Sequence, residues 1–153
     1  MTESFHIARA VPADLDALLG LERTAFDTDH LSRRQYRHHL TNPHAAVLVA
    51  RGAAGVLGKA VLFFNRRHDI ARLYSIAVGE AARGLGLGAA LLAAVEHEAL
   101  RRGKRRVRLE VAQQNAGAIR LYERHGFQRI GERRGYYENG AHAWRYEKVL
   151  VGG

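Results

Sequence analysis

Residues 73–92, LYSIAVGEAARGLGLGAALL, constrain this chain more than any other stretch. The run 73–78 is apolar apart from Ser75 and the hydroxyl of Tyr74, the pattern of a central strand covered on both faces. A polar hinge follows, and then Arg83, Gly84, Leu85, Gly86, Leu87, Gly88 and Ala89 lead into a helix. On that helix Leu87, Leu91, Leu92, Val95 and Ala99 fall on one face. Glycines at alternate positions let the backbone pack closely and turn its N–H groups toward a ligand. The positive end of the helix dipole lies at the same place, so the turn suits an anion, most naturally a pyrophosphate. Two common phosphate loops do not fit. Glycines at 84, 86 and 88 break the G-x-G-x-x-G spacing, and no Gly-Lys-Ser/Thr follows.

The 153 residues suffice for one domain with a real core, expected over residues 1–151. Hydrophobic residues make up 47%, yet no apolar run approaches the length of a membrane span. The N-terminus shows no basic segment followed by an apolar one, so a cytoplasmic location is expected. Without cysteine, thiolate metal sites and a cysteine nucleophile are excluded. Histidines 38, 39 and 44 have no carboxylate companions at ligand spacing, so no metal is expected. The net charge of +9 favours acidic or polyanionic partners, nucleic acid and coenzyme phosphates among them. Much of it lies in residues 101–108, where Arg or Lys fills six of eight positions. Such a run reads as a solvated helix end and loop.

Taken in order, the first strand is expected over residues 5–9. Pro12 then opens a helix with Leu15, Leu18, Leu19 and Ala25 on its apolar face and Asp14 and Asp16 in its first turn. Ser32 is placed to cap a second helix, 33–40, which stops before Pro43. Strands are expected at 46–50, 56–65, 70–78 and 106–112, with helices at 86–101 and 115–125 and two closing strands. The glycines at 152 and 153 read as a disordered tail. The fold class is therefore α/β in the mixed-sheet sense, in the order β-α-α-β-β-β-α-β-α-β-β. A crossover makes 70–78 and 106–112 a central parallel pair, and ligands bind beyond the carboxyl ends of such strands.

A second motif lies at 109–127, LEVAQQNAGAIRLYERHGF. Asn115 caps a short helix, Ala118, Ile119, Leu121 and Tyr122 form its buried side, and Gly126 ends it. The pair of motifs, R-x-x-G-x-G at 83–88 and N-x-x-A-I-x-L-Y-x-x-x-G-F at 115–127, resembles the GNAT family of N-acetyltransferases from about residue 73 to 150. Within the family the likeness is nearest to the ribosomal-protein alanine N-acetyltransferases (RimI type), through Leu109-Glu110-Val111, the 115–122 helix and the pair Tyr136-Tyr137.

The resemblance implies an enzyme that moves the acetyl group of acetyl-CoA to a primary amine, most naturally a peptide or protein N-terminus, ribosomal proteins included. It implies Glu110 as general base, Tyr122 as general acid and Asn115 as a coenzyme contact. The backbone of Ile76, Ala77 and Val78 would hold the acetyl group and pantetheine. Gly84, Leu85, Gly86, Leu87, Gly88 and Ala89, with Arg83 beside them, would hold the pyrophosphate. A monomer or homodimer with no need of membrane or nucleic acid is implied. The chain departs from the RimI pattern at Ala112, where arginine is usual, at 140–143 in place of E-D-A, and at the 26–32 loop in place of F-P-W-S. Glu110 also reads as a carboxylate paired with a neighbouring arginine, on the face it shares with Arg106 and Arg108. Tyr122 also reads as a core tyrosine. A small-molecule amine as acceptor and a basic nucleic-acid-binding module are the rival functions.

Overall fold

The computed structural model describes residues 4–25 and 29–150. Seven strands form one sheet: β1 (Phe5–Arg9), β2 (Ala45–Gly52), β3 (Gly55–Phe64), β4 (Ile70–Val78), β5 (Arg106–Ala112), β6 (Gln128–Arg133) and β7 (Ala143–Val149). Their order is β1-β2-β3-β4-β5-β7-β6, antiparallel except for the central β4–β5 pair. The helices are α1 (Leu15–Ala25), α2 (Arg33–Thr41), α3 (Leu87–Arg101) and α4 (Ala116–Arg124). The expected order of elements holds throughout.

Local signals account for most of the boundaries. Pro12 opens a single 3-10 turn that runs into α1, and Asp14 there accepts the Val11 N–H (2.8 Å) and a two-pronged Arg51 contact (2.7 Å each). Ser32 caps α2 in a reciprocal box with Gln35: its hydroxyl accepts the Gln35 N–H at 3.1 Å, and the Gln35 side chain accepts the Ser32 N–H at 2.8 Å. Asn115 caps α4 by accepting the Ala118 N–H at 3.2 Å. The tail at 152–153 lies outside the described residues.

The sheet is covered on two sides. Leu87, Leu91, Leu92, Val95 and Ala99 of α3 pack on one face, each at most 1% exposed, with Leu62, Leu73, Leu109 and Tyr122 in the same core. On the other face Leu15, Leu18, Leu31 and Tyr36 of the α1–α2 region meet Val47, Val49 and Val61. The α1 face departs from expectation at its end: Leu21 and Glu22 are buried and Ala25 is exposed.

The strand expected to be covered on both faces is not. In β4 Ala71, Leu73 and Ala77 are buried, while Arg72, Tyr74, Ser75, Ile76 and Val78 are half-buried. A register shift is one cause: Val61 faces Ser75 but Leu62 faces Leu73, which leaves Tyr74 as an extra residue. The other cause lies on the β5 side. β4 and β5 pair only at Ile70, Ala71 and Arg72 against Arg106, Val107 and Arg108, and the strands part beyond.

The basic run at 101–108 proves largely structural. Arg101 and Arg102 both pair with Glu98 (2.7 and 2.8 Å), and the Arg101 hydrogen bond is the main influence holding that carboxyl down to about 2. Lys104 is buried and donates to the carbonyls of Asn65 and His68, both at 2.7 Å. Arg106 and Arg108 pair with Glu147 across the β5–β7 ladder.

Candidate active site

Where β4 and β5 part, a cavity of about 780 Å³ opens between them. Strand pairing does the positioning. Val107, Leu109 and Val111 point into the core, so Glu110 alternates to the opposite face and reaches the cavity wall from β5. Helix α4 brings Asn115 and Tyr122 to the same wall, β4 brings Ser75 and Ile76, and the β6–β7 connection adds Tyr136 and Tyr137. Those two rings meet edge-on at 4.9 Å. A hydrogen bond from the Glu138 N–H to Asp29 Oδ1, 3.1 Å, ties that connection to the α1–α2 segment.

The charges around Glu110 differ from those expected. Arg106 and Arg108 share its face but turn to Glu147. Its partners are Arg72 of β4 (Nε to Oε2, 3.5 Å) and Arg133 of β6 (Nε to Oε1, 3.5 Å). Both distances are ion pairs rather than hydrogen bonds. The Arg72 Nε is buried without a hydrogen-bond partner, while its Nη2 donates to the Tyr136 hydroxyl. Glu110 therefore lies between two guanidiniums at the cavity edge.

Tyr122 is 5% exposed, and burial is the main reason its phenol is pushed well above the ordinary tyrosine range. The proton stays on the oxygen at neutral pH. Burial likewise raises Tyr136, Tyr137 and Tyr74, so the cavity is rimmed by neutral phenols that can donate hydrogen bonds.

At the end of β4 the chain makes a 3-10 turn (Glu80–Ala82) and enters α3 through Gly84 (φ 86°) and Gly86 (φ 78°). Both angles lie in the left-handed region that side chains with a Cβ avoid. Gly86 is the N-cap and brings no side chain to it, so the first N–H groups of α3 have no capping acceptor. Gly88 has a different role: a Cβ there would stand 3.1 Å from Leu121 Cδ2, so its absence lets α4 approach α3. Ile76 lines the cavity, whereas Ala77 and Val78 continue β4 past it and residues 83–89 lie outside its lining.

The model of the acetyltransferase (GNAT) family matches residues 14–127. The chain belongs to this family. An uncharacterized protein of Mycobacterium leprae is 34% identical over 146 residues, 93% of this chain and 40% of that protein. An uncharacterized N-acetyltransferase of Mycobacterium tuberculosis is 33% identical over 138 residues, 88% of this chain and 85% of its own length. The chain thus spans less than half of the first relative and most of the second. The crystal structure of the ribosomal-protein-S18-alanine N-acetyltransferase from Escherichia coli has a TM-score of 0.83 to this fold. It is 27% identical, with 98% of this chain and 97% of that one covered.

GNAT acetyltransferases take the acetyl group from acetyl-CoA, and the turn at 83–89 fits its pyrophosphate. A Cβ at Gly84 or Gly86 would meet no atom within 4 Å, so the space before the backbone is open. Uncapped helix N–H groups face an anion favourably there, with Arg83 exposed beside them. Gly86→Val places a β-branched residue at a φ of 78°, which the loop relieves by turning its N–H groups away. If the loop N–H groups hold the pyrophosphate, acetyl-CoA affinity is expected to fall by roughly 10²-fold. Calorimetry on the folded variant measures it, and unchanged affinity would remove the loop from the coenzyme site.

Among the described residues no group of His, Asp or Glu is arranged to hold a metal ion. None of their helices is long and apolar enough to cross a membrane. Of the 26–32 loop, Phe26, Asp27 and Thr28 lie outside the described residues, and Asp29 lines the cavity. Sequence reasoning did not single out Arg72, Arg133, Glu22, Tyr36 or Lys59. A signal existed for one of them: Lys59 is the only charge in the run 56–64, VLGKAVLFF.

Proposed function

We propose that this acetyltransferase acts on the α-amine of a peptide or protein N-terminus, with Glu110 as base and Tyr122 as acid. The observation that carries the reading is the convergence of Glu110, Tyr122 and the Tyr136-Tyr137 pair on one cavity between two parting strands. Acetyl-CoA supplies the activated acetyl group, held by residues 83–89, the β4 backbone at Ile76, Ala77 and Val78, and Asn115. Glu110 collects the proton that the attacking amine must lose, directly or through a water. Tyr122, kept protonated by burial, hands its proton to the departing thiolate. The chain has no cysteine, so the acetyl group passes straight from coenzyme to amine without resting on a protein thiol.

Acidity favours the α-amine. With a pKa near ~8, about a tenth of it is neutral at pH 7, against well under a thousandth of a lysine side chain near ~10.4. A single carboxylate suits the first task better than the second. The name of the Escherichia coli relative supports a protein N-terminus, a ribosomal protein being one candidate. The phenols around the cavity suit the carbonyls of an extended peptide. Peptides with one free α-amine and one internal lysine, analysed by mass spectrometry after turnover, are expected to carry acetyl on the α-amine. Acetyl on the lysine, or turnover of small amines alone, would replace this reading with the rival acceptor.

A further inference from the structure

Beneath the part of the cavity wall that carries Ser75 is a buried ionic cluster that acetyl transfer itself does not require. Lys59 of β3 is 0% exposed and Glu22 of α1 is 1% exposed. The Lys59 ammonium contacts Glu22 Oε1 and donates to the Tyr36 hydroxyl at 2.7 Å and to Ser75 Oγ at 2.8 Å. Tyr36 donates in turn to Glu22 Oε1 at 2.6 Å, and the Leu31 N–H donates to Oε2 at 3.1 Å. Apolar residues of similar volume are often as stabilising as a buried ion pair, so burial alone gives no reason for these charges.

The direction of the hydrogen bonds does give one. The Glu22 carboxylate against Nζ favours the ammonium form of Lys59, and its three N–H donors match the three oxygens around it. An ammonium has no lone pair, so Ser75 Oγ must accept from it. The Ser75 proton then has to point elsewhere, and among the described residues no acceptor takes it. Ser75 lines the cavity together with Glu22, Tyr74, Glu110 and Tyr137.

We propose that Lys59 fixes the Ser75 hydroxyl as a hydrogen-bond donor into the acceptor half of the cavity, where it binds the first carbonyl oxygen of the acceptor peptide. Ser75 is then a specificity-determining residue, and Lys59, braced by Glu22 and Tyr36, is a positioning residue. This rests on the N-terminal acceptor reading above, and it adds a requirement that the amine alone does not carry. A carbonyl must follow the acceptor amine at peptide spacing.

The test compares a peptide acceptor with its methyleneoxy isostere, which keeps the amine and the chain length but lacks the first carbonyl oxygen and the N–H that follows it. In the wild type kcat/KM is expected to favour the peptide by more than about tenfold, one well-placed hydrogen bond adding to the lower basicity of an amine beside a carbonyl. Ser75→Ala should lower that ratio by about tenfold, leaving only the part due to amine basicity. Glu22→Leu combined with Lys59→Met removes both charges together and leaves the Ser75 hydroxyl free to turn. Its ratio should fall part of the way while acetyl-CoA affinity, read by calorimetry, holds. A Ser75→Ala ratio equal to that of the wild type overturns the proposal and leaves N-terminal acetylation standing. If the wild type acetylates small amines and no peptide, the acceptor reading fails and this proposal fails with it.

Discussion

Glu110→Gln is expected to lower kcat by at least roughly 10²-fold while leaving acetyl-CoA affinity unchanged. Glutamine keeps the size of the side chain and removes its ability to take a proton. The loop at 83–89, proposed to hold the pyrophosphate, is outside the cavity lining that Glu110 belongs to, and glutamine leaves the shape of the wall it shares with Ile76 and Asn115 unchanged. The substitution also leaves the Arg72 and Arg133 guanidiniums, each 3.5 Å from Glu110, without their shared counter-charge. Some loss of thermal stability is expected on that account, and it separates the two roles open to Glu110. A carboxylate that only pairs arginines would lower Tm and leave the rate near wild type. A base loses rate at a temperature where the variant is fully folded. Raising the pH then recovers part of that rate, because more of the acceptor amine is neutral without help. Tyr122→Phe tests the acid in the same assay. Loss of the hydroxyl is expected to slow thiolate departure by roughly 10²-fold, with the ring still packed against Phe127.

Lys59→Met alone is expected to destabilise the protein by about 3–5 kcal/mol, because it strands the Glu22 carboxylate in the interior. For a chain of this size that is a fall in Tm of roughly 6–20 °C. Adding Glu22→Leu should restore most of the loss. The double variant then contains no buried charge at this place, and the neighbouring Leu18, Val47 and Val61 supply an apolar setting. Thermal denaturation of the single and double variants checks the pair. Additive losses, with the double variant less stable than either single one, would show that the two charges do not depend on each other.

Neighbouring residues were enough to read much of this protein. The strands at 5–9, 70–78 and 106–112 were legible from alternation or apolar runs, and the observed bounds coincide. The caps Ser32 and Asn115 and the buried stripe of α3 were legible because each depends on residues within a turn or two. The glycines at 84, 86 and 88 marked the strand-to-helix turn, and the backbone angles place Gly84 and Gly86 in the left-handed region. The motif at 115–127 placed Tyr122 on a helix after the β5 strand, where it lies.

What only the tertiary structure decided is how distant segments meet. Glu110 was readable as a carboxylate near arginines, yet its partners come from β4 and β6 rather than from its own strand. Ser75 and Tyr74 looked like part of a strand covered on both faces. The register shift opposite Val61 and the parting of β4 from β5 turn them to the cavity instead. Glu22 and Lys59 are 37 residues apart and Arg72 and Tyr136 are 64 apart. Nothing within either segment names the partner that arrives from the other. Periodicity and capping are set by neighbours in sequence and so can be read from it. The cost of burying a charge is set by whichever group arrives opposite, and that partner is chosen when the sheet and helices assemble.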